Sequence, residues 1–254
     1  MTRAWYLGIS PQDIAERCIL VGDPGRVDLF LERMDDARLV SAARGLRTVT
    51  GSFAGTPVTV SAFGMGSPIA LVVLEELAAL GARTVLRAGT AMTVAHDLSL
   101  GSFVVAEGAM RGEATSATYA PLGYPAVADA VLNAALETTL TQRGAPFRSG
   151  ILASYDGFYS ELFASDQERR AAIASRFAEL RRLGVIAADM ETSALLVVGR
   201  LLGVRAGSLC LVSVEGEQRT ALAPEQRQAR ERELVELALA AIANAPTTPQ
   251  RELD

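Results

Sequence analysis

One segment, residues 57–89, constrains the fold more than any other part of the chain. It begins with the β-branched run PVTVSAF, continues through GMGSP into the apolar helical pattern IALVVLEELAAL, and ends with RTVLRAG. A helix between two β-branched strands favours parallel pairing of those strands. Ser67 is predicted to cap the helix, with Pro68 as its first residue and Gly81 as its end. The unit therefore predicts an α/β fold.

The alternation of strand and helix continues along the whole chain. Further strands are predicted at residues 18–22, 102–110, 149–154 and 205–216, and 185–203 reads as a short strand entering a buried helix. Helices are predicted at residues 27–34, 125–144, 167–184 and 224–244. No repeat or linker divides the sequence, so a single domain is expected over residues 1–245, followed by a disordered tail at 246–254.

The composition argues against several classes of function. The 254 residues are 50% hydrophobic and 21% charged, with a net charge of −5, which suits one domain with a sizeable core. An acidic chain without a basic stripe is a poor candidate for binding nucleic acid or an acidic membrane. No apolar run approaches the ~20 residues of a membrane span, and the N-terminus lacks the apolar core of a signal peptide. A cytoplasmic protein is expected.

The rare reactive residues narrow the chemistry further. Cys18 and Cys210 lie in apolar runs and are predicted to be buried small side chains rather than disulfide partners or metal ligands. His96 is the single histidine, which argues against a Ser–His–Asp triad and a histidine-rich metal site. All 24 basic residues are arginine, so any anion site must use guanidinium groups.

Several predicted strands end in small residues followed by polar ones. This happens at VGDPGR (21–26), GMGS (64–67) and RAGT (87–90). Ligands bind beyond the carboxyl ends of parallel strands, where glycines let backbone N–H groups approach an anion. Arg26 and Arg87 can each bind an oxyanion through two hydrogen bonds. No stretch matches a known nucleotide-binding loop, and on these residues alone ordinary glycine turns explain the pattern equally well.

A second polar group lies in the segment ADMETS. In an extended segment Asp189 and Glu191 point to one side and Met190 to the other. Two carboxylates on one side can accept hydrogen bonds from neighbouring sugar hydroxyls. The alternative is a helix start, where acidic residues interact favourably with the helix dipole.

Together these segments resemble the nucleoside phosphorylase family, on its uridine phosphorylase side. The resemblance covers about residues 5–215 and is carried in family-like order by VGDPGRV, FGMGSP, EELAALGARTVLRAGT, YAPLGYPAVAD, ASYDGFY and ADMETSALL. It implies a three-layer α/β/α sandwich around a distorted mixed β-barrel-like sheet, assembled as a hexamer of three dimers. It also implies attack of phosphate on a nucleoside, which gives free base and (deoxy)ribose 1-phosphate. Inorganic phosphate is then a co-substrate, and no cofactor is expected.

The resemblance also implies roles for individual residues. Those that match the phosphate site are Gly22, Arg26, Arg44, Arg87 and Thr90, with Arg44 reaching across from a neighbouring subunit. Those that match the ribose site are Tyr6, Met65, Asp189, Met190 and Glu191, with Tyr6 in place of a family histidine and likewise acting across the dimer interface. Phe158 and Tyr159 match the aromatic wall of the base pocket. Catalysis is then expected to depend on Arg87, Glu191 and Glu215.

The sequence departs from the family where the base would bind. Gln167 and Arg169 keep the spacing of the family's uracil-reading pair but come several residues too late, so they serve only if an insertion loops out. The alternative is the polar start of a charged helix. Glu215 lies where purine phosphorylases of the family place an aspartate that protonates the base, and burial would raise its pKa enough for acid catalysis. The alternative is an ordinary loop carboxylate.

Two further departures concern Met92 and Gly45. Met92 replaces a glycine of the family's GT-x-G turn and is expected to crowd the base pocket. Gly45 replaces a glutamate that helps to hold a monovalent cation in some relatives, so no metal site is expected. Uridine or a related pyrimidine nucleoside is favoured as substrate, and a purine nucleoside remains open.

Three hypotheses about function follow from the sequence. The first is a phosphate-dependent nucleoside phosphorylase. The second is a nucleosidase of the same fold that uses water, and the third is a non-catalytic nucleoside-binding protein. The three family arginines favour phosphorolysis, because an enzyme that uses water has no need of a phosphate site. The altered base pocket motivates the third hypothesis.

Overall fold

The computed structural model describes residues 2–164, 166–216 and 220–246. The strands in these ranges are β1 Arg17–Val21, β2 Asp35–Ser41, β3 Thr48–Phe53, β4 Thr56–Ala62, β5 Thr84–Thr93, β6 Phe103–Arg111, β7 Ala126–Val127, β8 Phe147–Ser154, β9 Val185–Asp189 and β10 Arg205–Glu215. The α-helices are α1 Arg26–Leu31, α2 Ser67–Leu80, α3 Ala130–Gln142, α4 Gln167–Arg182, α5 Thr192–Leu201 and α6 Pro224–Asn244. A single π-helical turn covers Phe158–Leu162.

The strands form one mixed sheet that closes on itself in part. Its order is β10-β6-β8-β9-β5-β1-β4-β3-β2, and β10 also pairs with β5. The second pairing closes β5, β10, β6, β8 and β9 into a five-stranded barrel. From β5, the strands β1, β4, β3 and β2 extend outward as an open sheet. The expectation of a distorted mixed barrel within the sheet is confirmed.

Helices cover both faces of this sheet. On one face α1, α3 and α6 share an apolar core that includes Phe30, Leu136 and Leu239. On the other face α2 and α5 share a second core that includes Leu74 and Val197. Each such fully buried side chain stabilises the fold by about 1.5–3 kcal/mol. The two cores with the sheet between them confirm the expected three-layer α/β/α arrangement.

The strand–helix–strand unit has the predicted parallel strands with one local correction. β4 and β5 are parallel, and both pair with β1, which lies between them. The predicted cap of α2 is wrong by one residue, because Gly66, at φ 97°, precedes the helix and Ser67 is its first residue. The Ser67 hydroxyl instead donates a hydrogen bond to the carbonyl of Met190 at 2.8 Å. Gly81 ends the helix in the left-handed conformation, as predicted.

Three strands were not predicted from the sequence: β2, β3 and the two-residue β7, which falls within the predicted helix at 125–144. β2 and β3 pair antiparallel at the open edge of the sheet. The residues of β2, DDARLVS, are exposed or half-buried throughout. Because no face of this strand is buried, its sequence need not alternate between apolar and polar residues. The predicted helix at 125–144 begins later, at residue 130, because Asp129 accepts hydrogen bonds from the first turn. The predicted tail lies outside the described residues except for residue 246.

Candidate active site

A cavity of about 580 Å³ opens at the carboxyl ends of parallel strands, where ligands bind in α/β sheets. One part of its wall, the polar end, carries the charged side chains Asp23, Arg26, Arg87, Asp189, Glu191 and Arg227. The remainder, the apolar end, is formed by Met92, Phe158, Leu162, Ala188 and Val214. Of the residues predicted for phosphate and ribose, Gly22, Arg26, Met65, Arg87, Thr90, Asp189, Met190 and Glu191 line this cavity.

β5 runs along the cavity and changes its partner there. Thr84–Arg87 pair with β1, and Met92 and Thr93 pair with β9, whereas β10 pairs with β5 along its length. Gly89 and Thr90 lie between the two pairings and line the cavity. Such a change of strand partner leaves backbone groups available to a ligand.

Arg87 is buried on β5 and is held by two carboxylates. Its Nη2 donates to Glu191 Oε2 at 2.5 Å and lies 3.3 Å from Asp189 Oδ2, while Nη1 donates to the sulfur of Cys210. A Cβ atom at Gly89 would overlap the Arg87 guanidinium, so only glycine leaves it room. Burial lowers the pKa of Arg87, but Cys210, Asp189 and Glu191 outweigh this and raise it above its usual value. The guanidinium is therefore charged.

Asp189 and Glu191 approach Arg87 from the junction of β9 and α5. Glu191 Oε1 also accepts a hydrogen bond from the backbone N–H of Gly66 at 2.8 Å. Asp189 accepts hydrogen bonds from the backbone N–H and the hydroxyl of Thr192, in the first turn of α5. Both interpretations of the segment ADMETS therefore hold: Asp189 supports a helix start, and the two carboxylates lie together on one side.

Arg26 enters the cavity from the turn after β1 and is also buried. Its Nη1 donates to the carbonyl of Ala88 and its Nη2 donates to Glu231 Oε1, both at 3.1 Å. The turn after β1 lies close to the turn after β4, because a Cβ atom at Gly22 would lie 2.9 Å from the carbonyl oxygen of Gly64. Glycine at residue 22 therefore brings the two turns together at the polar end.

Two buried guanidinium N–H groups at the polar end lack a hydrogen-bond partner. In the described ranges, three buried side-chain nitrogen or oxygen atoms have none: Nε of Arg26, Nε of Arg87 and Oδ1 of Asn133. Asn133 does not line the cavity. An unpaired buried polar group destabilises a fold by about 1–3 kcal/mol, more when charged. Two buried arginines on one cavity, each with an incompletely paired guanidinium group, suit an oxyanion such as phosphate.

The apolar end has an aromatic wall. Met92, Leu162, Ala188 and Val214 belong to one apolar cluster. The ring of Phe158 is stacked on that of Phe163, with centroids 5.5 Å apart. Tyr159 lies edge-on to Phe158 at 5.1 Å, but it is 65% exposed and does not line the cavity. The structure therefore places Phe158, and not Tyr159, where a flat ring can bind.

Gln167 and Arg169 do not reach the cavity. They lie exposed in the first turn of α4, where Asp166 accepts a hydrogen bond from the Arg169 backbone N–H at 2.9 Å. Gln167 lines a neighbouring cleft of about 350 Å³. The side chain that faces the cavity in this region is Leu162. No insertion brings the polar pair inward, so the alternative, the polar start of a charged helix, describes their placement in this chain.

Glu215 also lies outside the cavity. It is the half-buried last residue of β10, and its backbone N–H donates to the carbonyl of Thr220 at 2.7 Å. A bulge shifts the register of β10 between Val212 and Val214, so that Ser213 and Val214 line the cavity instead. The placement of Glu215 fits the alternative of an ordinary carboxylate, and its role as an acid stays a prediction.

Arg44 and Tyr6 lie together on the surface, outside the cavity. The Arg44 guanidinium carbon is 5.0 Å from the centroid of the Tyr6 ring, a cation–π contact. Both side chains are exposed, and Arg44 has φ 55°, which is uncommon for a residue other than glycine. Neither reaches the cavity of its own chain. Their predicted action in a neighbouring subunit is consistent with this position and stays a prediction.

No sequence pattern indicated a cavity role for Arg227 or Leu162. Arg227 lies in PEQRQARERE, where alternating charges are typical of a solvated helix face, yet its side chain lines the cavity. Leu162 is the last residue of the π-helical turn, and no regular sequence period predicts the geometry of that turn. Both belong to the cavity only because of how distant segments pack.

The cysteines and the histidine lie as predicted. Cys18 and Cys210 are free and buried, and burial raises the pKa of Cys18 to about 12 and that of Cys210 above its usual value. His96 lies exposed in the loop after β5. Within residues 2–164, 166–216 and 220–246, no three His, Cys, Asp or Glu side chains are grouped to hold a metal ion. No helix in these ranges has the length and apolarity to cross a membrane.

Comparison with known proteins gives the family. A sequence model of the phosphorylase superfamily matches residues 16–244. The chain belongs to this superfamily. It is 33% identical over 213 residues to a uridine phosphorylase of Thermococcus kodakarensis, covering 82% of this chain and 76% of the relative. It is 32% identical over 250 residues to a guanosine phosphorylase of Halorubrum lacusprofundi, covering 97% and 99%.

A solved structure of a superfamily member agrees with the fold. The crystal structure of uridine phosphorylase from Vibrio fischeri ES114 superposes with a TM-score of 0.85 at 29% sequence identity, covering 95% of this chain and 98% of that chain. The superfamily fold therefore extends over nearly the whole molecule.

Proposed function

We propose that this chain is a nucleoside phosphorylase, with uridine or a related pyrimidine nucleoside as the favoured substrate. It cleaves the N-glycosidic bond with phosphate and releases free base and (deoxy)ribose 1-phosphate. The observation that carries this is that two buried arginines, Arg26 and Arg87, line one cavity, each with a guanidinium group that is not fully paired. The superfamily match and the names of the uridine phosphorylase relatives support it. The enzyme is a pentosyltransferase.

Phosphate binds at the polar end. Arg26 and Arg87 donate to its oxygens, and Gly22 and Thr90 border the same space. Guanidinium groups can donate two parallel hydrogen bonds to one phosphate group, which fixes its direction as well as its position. Inorganic phosphate is a co-substrate, and the displacement at carbon uses no further cofactor.

The ribose and the base bind further along the cavity. Glu191 already accepts hydrogen bonds from Gly66 and Arg87, so its carboxylate is fixed in direction and has remaining lone pairs for sugar hydroxyls. Asp189, Met65 and Met190 border the same region. The base lies at the apolar end against Phe158 and Met92.

The reaction is a displacement at the anomeric carbon. A phosphate oxygen forms a bond to C1′ as the bond from C1′ to the base nitrogen breaks, and the electron pair of that bond leaves with the base, which takes up a proton. The transition state resembles an oxocarbenium ion. Holding phosphate in line with C1′ can lower the barrier by ~7–11 kcal/mol. The apolar end excludes water, which would otherwise hydrolyse the nucleoside.

The active form is proposed to be a cytoplasmic homohexamer built from three dimers. Arg44 and Tyr6 lie outside the cavity of their own chain, beside the strongly exposed Trp5. Exposed aromatic side chains and arginine are enriched at protein interfaces. Arg44 of one subunit then completes the phosphate site of its neighbour.

Subunit mixing tests this assembly. Arg44→Ala and Arg87→Ala each remove activity from a homogeneous preparation. If Arg44 acts in the neighbouring site, refolding the two variants together forms some sites with both arginines and restores part of the activity. A fully active monomer in sedimentation would contradict the proposal.

One assay separates the three functional hypotheses. The protein is incubated with uridine, thymidine, inosine and adenosine, with and without inorganic phosphate, and free base is measured by chromatography. We expect base release that requires phosphate, with sugar 1-phosphate as the second product. Release without phosphate, with free ribose, indicates a nucleosidase. Binding without release indicates a non-catalytic binding protein.

A purine nucleoside is the second candidate substrate. The polar pair Gln167 and Arg169 lies outside the cavity, and a guanosine phosphorylase aligns over 97% of the chain. Glu215→Gln tests the acid role within this alternative. Because Glu215 lies outside the cavity, we expect less than about a twofold change in kcat on uridine. A large loss confined to purine nucleosides would show that Glu215 protonates the leaving base.

A further inference from the structure

A single carboxylate on α6 contacts two arginines at the polar end of the cavity. Glu231 Oε1 accepts a hydrogen bond from Arg26 Nη2 and another from Arg227 Nε, each at 3.1 Å. The Glu231 side chain is 16% exposed, between the buried Arg26 and the half-exposed Arg227. Because the two nitrogens share one oxygen, Arg227 lies beside Arg26 and not at the apolar end.

Glu231 also helps to fix the orientation of Arg26. Nη1 of Arg26 is engaged by the Ala88 carbonyl and Nη2 by Glu231, whereas the buried Nε has no partner. The guanidinium group is planar and rigid, so fixing two of its nitrogens fixes the direction of the third. Without the carboxylate, only the hydrogen bond to Ala88 would orient this side chain.

The balance of charge at the polar end also bears on the role of Arg227. The arginines that line it are Arg26, Arg87 and Arg227, and the carboxylates that line it or contact these arginines are Asp23, Asp189, Glu191 and Glu231. Arg87 by itself contacts two of these carboxylates, Asp189 and Glu191. Because Arg26 and Arg87 are already paired with carboxylates, their attraction for a phosphate dianion is partly offset, and Arg227 adds positive charge at the same end.

We propose that α6 is part of the phosphate site: Glu231 is a positioning residue for Arg26, and Arg227 is an additional phosphate-binding cation from the same chain. This rests on the proposed phosphorolysis. Glu231 holds the Arg26 guanidinium in a fixed orientation at the cavity wall, where it donates to a phosphate oxygen. Arg227 borders the same space and adds attraction for the dianion, so the last helix contributes to affinity for phosphate and not for the nucleoside.

The test compares two ion pairs on the same helix. Glu231→Gln and Arg227→Gln alter the proposed pair. Glu233→Gln and Arg230→Gln alter the neighbouring pair Arg230–Glu233, which does not line the cavity. KM for phosphate is measured at saturating nucleoside, and KM for the nucleoside at saturating phosphate. Inorganic phosphate is also titrated alone, and the rise in Tm with its concentration gives an affinity that does not depend on turnover.

We expect Glu231→Gln and Arg227→Gln each to raise KM for phosphate about tenfold, the size typical of losing a hydrogen bond to a charged group. KM for the nucleoside should stay within about twofold, and the Tm titration should show the same loss. Glu231→Asp, which keeps the charge, should recover part of the affinity. In an Arg26→Ala background, Glu231→Gln should change KM for phosphate very little further, because the side chain that Glu231 positions is absent.

Three outcomes overturn the inference. The first is that Glu231→Gln and Arg227→Gln behave like the controls while the wild-type enzyme requires phosphate, which leaves the proposed function intact. The second is an equal rise in both KM values, which shows a general structural role. The third is base release by the wild-type protein without phosphate, which removes the proposed function and this inference together.

Discussion

The two ends of the cavity are built in different ways. At the polar end, buried charged side chains on strands or at the starts of the helices that follow them are fixed by hydrogen bonds and ion pairs of 2.5–3.3 Å. At the apolar end, the wall depends on a single π-helical turn and on side chains such as Phe158, which is 37% exposed. If phosphate binds at the polar end as proposed, the sheet determines where it binds, while a local turn shapes the wall proposed for the base. Substitutions at the two ends should separate these effects.

The largest effect is expected at Arg87. Arg87→Met removes the central guanidinium of the polar end, so we expect kcat/KM for phosphorolysis to fall about 10³-fold or more. The buried Asp189 and Glu191 would also lose their counter-charge, which should destabilise the fold by about 3–5 kcal/mol. Steady-state kinetics and urea unfolding measure the two losses. Arg200→Met, at an exposed arginine, is the control, and a variant that kept its phosphate dependence would remove Arg87 from the site.

The second-largest effect is expected at Gly89, the glycine that leaves room for the Arg87 guanidinium. Gly89→Ala places a Cβ against the guanidinium and should displace it, raising KM for phosphate about tenfold. The matched control is Gly123→Ala, where an added Cβ meets no atom within 4 Å. If both variants retained the wild-type KM for phosphate, the position of Arg87 would not depend on Gly89.

At the apolar end, two adjacent aromatic residues give a direct comparison. Phe158 lines the cavity, whereas Tyr159 beside it points away. Phe158→Ala should raise KM for the nucleoside about tenfold, because contact of a base with an aromatic ring contributes about 1–3 kcal/mol. KM for phosphate should not change, and Tyr159→Ala should leave both constants within about twofold. A larger effect from Tyr159→Ala would show that the turn rearranges when substrate binds.

The smallest effect is expected from an exposed ion pair near the polar end. Arg47 donates two hydrogen bonds to Asp28 and lowers the pKa of that carboxyl. Because the pair is solvated, Arg47→Ala should reduce the free energy of unfolding by no more than about 1 kcal/mol and leave KM for phosphate unchanged. A rise in that KM would instead place Arg47 in the phosphate site.

The pH dependence of this pair has a definite sign. A carboxyl whose pKa is lower in the folded state stabilises the fold above its unfolded value, 3.8 here, and this stabilisation is lost as the pH falls through the folded value. The difference in unfolding free energy between wild type and Arg47→Ala should therefore shrink between about pH 5 and pH 3. A difference that grew with acidity would contradict the assignment.

Much of the polar end was predictable from the sequence because its residues follow strands directly. Arg26 and Glu191 lie just beyond β1 and β9, Asp189 ends β9, and Arg87 lies within β5; parallel strands bring such segments together. The helices and central strands were predictable for a related reason, since their apolar periods are regular. The exposed edge strand β2 lacks that regularity and was missed.

The apolar end could not be predicted in the same way. Gln167 and Arg169 have the expected spacing, but one turn of π-helix and the start of α4 decide that they point outward and that Leu162 points inward. Arg227 shows the converse, because a residue of a charged helix face enters the cavity through the packing of α6. Irregular turns and long-range packing leave little trace in local sequence.

The pairing of β5 has a consequence for hydrogen exchange. The segment that carries Arg87 is hydrogen-bonded to β1 on one side and β10 on the other, so its amides can exchange with deuterium only when the whole sheet opens. The π-helical turn at Phe158–Leu162 has no ladder of this kind and should exchange through local opening. We therefore expect the amides of the wall proposed for the base to exchange many times while those around Arg87 stay protected.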